Sequence, residues 1–357
     1  MASPRGTLGL VTTRTTRACE TARVGPRMPA RKDRPVQDPQ QLFRFENDTD
    51  PADAHAGVLV ASLGGFVDAG QTQEVLTRHL LAAHPSTVVA SFDVDQVLDY
   101  RGRRPVMTFD KDRWTGYADP SLLLHRVTDR SGQPFLLLSG PEPDYQWERM
   151  AAAVAELISA LGVTLTVSVH GIPMAVPHTR PLGMTPHATS QRLLGETEPV
   201  FGTVQVPGSF VSLLQYRLGE QGRDAMGFAV HVPHYLAQTE YPDAALVALD
   251  ALVGVTGLDL SRDELASAAV TTGSAVAQEV AGNEEVTALV GSLERQYDAF
   301  MAGRSRPSLL APDASQLPSA DEIGADVEEF LRAFSTGDAQ SPDPGGFAGP
   351  ASPSATD

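Results

Sequence analysis

Short, continuous apolar runs alternate with amphipathic stretches over about 200 residues, and few architectures accommodate that alternation. Val58–Leu63 is such a run, suited to a strand covered on both faces. Gly64-Gly65 turns the chain, and Asp68 with Gln71 is spaced as the start of a capped helix. That helix would carry Val75, Leu76, Leu80 and Ala83 on one face and end before Pro85. Thr87–Phe92 and Pro134–Leu138 read as further buried strands. Between them, Pro105–Phe109 and Leu122–Val127 read as a more exposed antiparallel insertion. The result expected is an α/β fold of three layers, with a mostly parallel central sheet and helices on both faces.

The same reading continues downstream. Asp144 is placed to cap a helix bearing Trp147, Met150, Ala151, Val154, Leu157, Ile158 and Leu161, which Gly162 stops. Val163–Val169 follows as a strand, and 171–190 is a long loop containing Pro and His. Strands at Phe201–Val206 and Met226–Val232 and helices at Ser209–Leu218 and Ala244–Val255 complete an α/β domain over 40–260. From 261 to 334 the pattern is purely helical. Ser261 with Glu264, Asn283, and Ser319 with Glu322 mark three helix starts. Residues 335–357, rich in Pro, Gly, Ser and Ala, are expected to form a disordered tail.

Residues 1–35 are expected to be a disordered extension. They carry net +6, which leaves −23 for the rest of a chain whose net charge is −17. Their Arg- and Thr-rich, acid-poor composition fits a transit peptide, and an overextended gene start with Met28 as initiator fits equally well. A body so acidic repels nucleic acid and anionic membrane. No apolar run approaches the roughly 18 residues of a membrane span. Cys19 is the single cysteine, which rules out an intramolecular disulfide and a thiolate metal cluster and points to a reducing cytoplasm. Lys32 and Lys111 are the only lysines, an Arg preference expected of a GC-rich genome.

Charge concentrates behind the predicted strands. Phe92–Arg104 holds Asp93, Asp95 and Asp99, then Arg101, Arg103 and Arg104. Ligands of open α/β sheets gather at the carboxyl ends of strands. Asp95 and Asp99 suit a cation or an amine, and Arg101 and Arg104 suit a carboxylate held bidentately. The same side chains equally suit an ion network that fixes a loop or a subunit contact. Glu142, between Pro141 and Pro143, has no capping duty and is a candidate acid/base, although a pair with Arg101 or Arg104 would use it structurally. His178 is the other acid/base candidate, and Arg180 joins it in a loop long enough for binding or for an oligomer clasp. His231 and His234 lack the spacing of a metal pair, and no metal or cofactor is expected. G-x-S-x-G, Walker A, G-x-G-x-x-G and H-E-x-x-H motifs are missing from the sequence.

Four segments carry a family likeness: Gly64–Gly70, Asp99–Pro105, Gly140–Asp144 with Trp147, and Pro177–Pro181. In order and spacing the chain resembles an actinobacterial member of the proteasome assembly chaperone type two family, over about 40–260. The resemblance implies a phosphorylase/hydrolase-like fold. It also implies a non-enzymatic, homo-oligomeric interaction protein that could serve a proteasome or another complex. Some relatives dock through a C-terminal hydrophobic-Tyr-X motif, whereas this sequence closes on Ala355-Thr356-Asp357. The alternative is a small-molecule-binding or hydrolase/phosphorylase-like enzyme. In that case Asp95, Asp99, Arg101, Arg104, Glu142, His178 and Arg180 would converge on one charged pocket.

Overall fold

A computed structural model describes residues 37–46, 49–65, 67–196 and 202–304. The 1–35 extension, the helix expected from Ser319 and the 335–357 tail lie outside the described residues. At the centre is an eight-stranded sheet built from β1 (Phe43–Phe45), β2 (Val58–Gly64), β3 (Ser86–Phe92), β6 (Leu123–Thr128), β7 (Pro134–Pro141), β8 (Leu165–Met174), β9 (Met184–Ala188) and β10 (Asp224–Pro233). β4 (Met107–Asp110) and β5 (Arg113–Tyr117) form a separate hairpin. The sheet order is β1-β3-β6-β7-β2-β8-β10-β9. β7, β2, β8 and β10 are successively parallel, and β1, β6 and β9 run against the other five strands.

Strand periodicity divides the apolar side chains between two cores. Leu59, Leu63, Leu136 and Leu138 face α2 (Trp147–Ala160) and α3 (Phe210–Glu220). Val58, Val60, Phe135 and Leu137 face α1 (Thr72–Ala83) and α4 (Pro242–Thr256). The expected three layers are therefore present. Helix α5 (Asp263–Ala281) adds Leu265 and Val276 to the second core, and α6 (Glu284–Arg304) starts at Asn283, whose side chain accepts from Glu285 N and Val286 N. The chain divides into two compact units, Met1–Glu294 and Arg295–Asp357; the described part of the second is 295–304.

Three expectations need correction. Leu123–Thr128 is an interior strand of the main sheet, antiparallel to both neighbours, because Leu122, Leu124 and Val127 bury their side chains. Residues 202–208 form no strand; Val204 and Val206 stand exposed there, and the place beside β10 is taken by β9, within the stretch read as loop. Asp144 does not cap α2, which starts at Gln146 in a left-handed conformation (φ 58°). Asp68, by contrast, does hold the start of α1: its carboxylate accepts from Gln73 N (3.0 Å), Glu74 N (3.3 Å) and, across the layer, Gly171 N of β8 (3.1 Å). Gln71 donates its backbone N–H to Asp68 O (3.0 Å), but its side chain returns no bond to the Asp68 amide, so the reciprocal half of the capping box is missing.

Candidate functional site

Strands β3, β7, β2, β8 and β10 all run in one direction, so the loops that leave their carboxyl ends share one rim of the sheet. The loop after β3 is folded by its own carboxylates. Asp95 accepts from Tyr100 OH (2.7 Å), and that bond pushes the phenol up to about 12. Asp99 accepts from Arg101 N through its side chain (3.0 Å) and from Gly102 N and Arg103 N through its carbonyl (3.0 and 2.8 Å). This tight turn presents Arg103 to the neighbouring loop after β7. Its guanidinium pairs with Asp144 Oδ1 (3.0 Å) and donates to Glu142 O (2.9 Å). Asp144 Oδ2 accepts from Asp99 N (2.7 Å), and Val97 O receives both Asp144 N and Tyr145 N. Asp144 is thus occupied in lacing two loops together, which is why it does not cap α2.

Glu142 is 6 % exposed, and its Oε1 accepts from Phe210 N, the first amide of α3. Its own N–H donates to Gly64 O (2.7 Å), and a Cβ on Gly65 would lie 2.6 Å from Oε2. A helix N-terminus leaves unpaired amides and a positive dipole end, and a buried carboxylate there answers both. Ser209 completes the cap by accepting from Ser212 N (3.1 Å). Glu142 pairs with neither Arg101 nor Arg104, contrary to the structural alternative read from sequence; the capping bond takes its carboxylate instead. Glu142→Ala is expected to cost about 2–3 kcal/mol and Glu142→Gln about 1 kcal/mol, because the amide oxygen still accepts. Urea unfolding of the two variants measures the difference. Equal losses would contradict a role resting on that hydrogen bond.

His178 and Arg180 occupy a separate part of the rim. His178 N donates to Tyr235 OH (2.9 Å), and Nδ1 lies 2.7 Å from the same oxygen with the rings edge to face. Burial lowers the His178 pKa, opposed by the nearby Glu294 and Asp243 carboxylates. Arg180 pairs with Glu294 (3.2 Å), which also accepts from Thr179. β3 and β8 are separated by β6, β7 and β2, a distance of about 19 Å at ordinary strand spacing. The strand that leads to Asp95, Asp99, Arg101 and Arg104 and the strand that leads to His178 and Arg180 are therefore not neighbours. An open concavity of about 690 Å³ lies beside Asp93, Asp95, Tyr100, Tyr117 and Asp119; of the seven candidates only Asp95 lines it. His231 meets Thr185 (2.8 Å) and His234 meets the Tyr235 ring edge to face, so those two histidines have different surroundings. Among the described residues no group of three or more His, Cys, Asp or Glu is placed to hold a metal ion, and no helix is long and apolar enough to cross a membrane.

Sequence reasoning passed over Arg103, Tyr235 and Glu294. Arg103 stood in plain view among three arginines, but nothing in the spacing says which one the Asp99 turn points inward. Tyr235 and Glu294 reach His178 and Arg180 only through tertiary structure and leave no local signal.

The model of the PAC2 family matches residues 62–280, from within β2 to the end of α5. The chain belongs to the PAC2 family. The likeness read from Gly64–Gly70, Asp99–Pro105, Gly140–Asp144 and Pro177–Pro181 is borne out. A Mycobacterium tuberculosis protein of unknown function is similar at 43% identity, over 77% of this chain and 94% of that one, with a TM-score of 0.70. A Corynebacterium glutamicum protein of unknown function is 34% identical over 74% of this chain and 100% of that one, also at 0.70. A Mycobacterium tuberculosis proteasome-assembly chaperone homologue shares the PAC2 fold at a TM-score of 0.59, with 23% identity over 65% of this chain and 99% of that one. No curated protein matches the chain.

Proposed function

We propose that this PAC2 protein is a non-enzymatic, self-associating interaction protein that acts as an assembly chaperone in the cytoplasm. The observation that carries the reading is the use made of the rim carboxylates. Glu142 holds the start of α3, and Asp144 with Arg103 ties one loop to the next. A general acid or base must reach a substrate proton, and a carboxylate buried against a helix amide is badly placed for that. Kinship supports the same reading, since a protein of like fold is a proteasome-assembly chaperone homologue. Proteasome subunits are accordingly the partner to try first.

The test has two arms. Light scattering on the eluting full chain should give a mass that is a multiple of the protomer. Purified 20S subunits mixed with the chain should co-elute with it and form crosslinks. A strictly monomeric protein that crosslinks to no 20S subunit would overturn the proposal.

A further inference from the structure

Helix α3 presents two faces. Phe210, Leu214 and Leu218 point into the core, while Ser212, Tyr216 and Glu220 form an exposed stripe at helical spacing. That stripe and the first turns of α2 wall an open groove of about 1390 Å³. Its aromatic lining is Tyr145, Trp147 and Tyr216: Tyr145 is 51 % exposed, Tyr216 is 62 % exposed, and Trp147 is half-buried beside them. Three carboxylates, of Asp144, Glu148 and Glu220, line it with the two guanidiniums of Arg149 and Arg217. An aromatic shelf edged by acids suits a basic, proline-containing peptide in the polyproline II conformation.

Gln37, the first described residue, lines the same groove. Arg149 pins the chain there: its Nη1 donates to Gln37 Oε1 (3.1 Å) and its Nε to Asp38 O (2.9 Å). Just before Gln37 the sequence runs Pro26-Arg27-Met28-Pro29-Ala30-Arg31-Lys32-Asp33-Arg34-Pro35-Val36. Polyproline II repeats every three residues, which sets Pro26, Pro29, Lys32 and Pro35 on one face and Met28, Arg31 and Arg34 on the next. We infer that residues 29–36 of the same chain lie in this groove as a polyproline II strand, with prolines against the aromatic shelf and cations toward the carboxylates. The inference is independent of the self-association proposed above.

Three observations select this segment as the occupant. The first is continuity, since Pro35 stands two positions from a residue already held in the groove wall. The second is length. Ser209 to Gln221, the reach of α3 along the groove, is about 18 Å at the helical rise. Pro29 to Pro35 is about 19 Å at the polyproline rise. The third is charge: Arg27, Arg31, Lys32 and Arg34 stand against Asp33 alone, and acids outnumber arginines in the groove lining. A short tether also holds the segment at an effective concentration of about 1 mM, so an intrinsic affinity of only about 100 μM keeps the groove filled about ten times as often as empty. A peptide of like chemistry on another protein would have to displace it.

Limited trypsin digestion of the native full chain, followed by mass spectrometry, tests the inference. Each cleavage rate is taken relative to the same bond in the urea-unfolded chain. Cutting after Arg31 and Lys32 is expected to be about tenfold more retarded than cutting after Arg14 and Arg23, at every protein concentration. Tyr216→Ala, and separately Pro29→Ala with Pro35→Ala, should raise the Arg31 and Lys32 rates at least about fivefold and leave those at Arg14 and Arg23 unchanged. Equal retardation at all four bonds would overturn the inference. Protection that survives both variants would place the segment outside the groove and overturn it too. Protection that rises with protein concentration would put the segment on a second copy, against the same-chain assignment. If the wild type is unprotected yet binds a synthetic peptide of residues 26–36, the groove serves another protein and the occupant named here is wrong.

Discussion

Gly140→Ala is expected to destabilise the fold by at least about 3 kcal/mol and lower the melting midpoint by roughly 6–12 °C. Gly140 has φ +137°, a region that side-chain-bearing residues rarely enter. A Cβ there would lie 2.4 Å from Ser121 O and 2.8 Å from Leu122 Cα, both backbone atoms that no rotamer change can move. The residue sits two positions before Glu142, so the kinked end of β7 is what aims the capping carboxylate at α3. Gly132 provides the control. It too has positive φ (+88°), but open space surrounds its missing Cβ, so Gly132→Ala should cost only about 1 kcal/mol of backbone strain. Circular dichroism melts of both variants decide the matter; similar midpoints would show that the Ser121–Leu122 contact yields.

Acid should unfold the protein early. Burial pushes His170 down to about 4, and burial is the first cause lowering His187, whose ring lies 6.3 Å away, and His125 and His231. Each native pKa lies below its unfolded value near 6.5. The unfolded chain therefore takes the proton first, and the stabilisation, complete above about pH 6.5, is lost as the pH falls toward the native pKa. His170 alone accounts for about 2–3 kcal/mol between pH 6.5 and 4. Asp68 and Asp243 work the other way, since burial raises both carboxyls and acidification relieves them. Unfolding free energy in urea, followed from pH 7 to 4.5, should fall steadily, and His170→Gln should flatten the slope. A pH-independent wild type would contradict the assignment.

Much of the architecture could be read from apolar periodicity. Val58–Leu63, Pro134–Leu138 and the α2 face are continuous enough that only a covered sheet with helices accommodates them. The error at β9 has a physical cause. Met184-Thr-Pro-His-Ala188 has neither alternation nor β-branched richness, and Pro186 argues against a strand unless it lies at a border. It does lie at a border: its partner is β10 alone. The Phe201–Val206 expectation failed for the converse reason, since suitable residues form a strand only where a neighbour offers an open edge. At the rim, the sequence displayed the charges without their pairings. Which arginine turns inward depends on the Asp99 carbonyl, and what Glu142 holds depends on a helix 68 residues away.

Both borders of the central sheet are poor templates for another chain. β1 has only three residues, and β9 sets a proline in the middle of its five. Stacking of copies by backbone pairing, the route to endless filaments, is blocked at either side. Any contact between copies along these borders would therefore have to be made by side chains rather than by a shared backbone ladder.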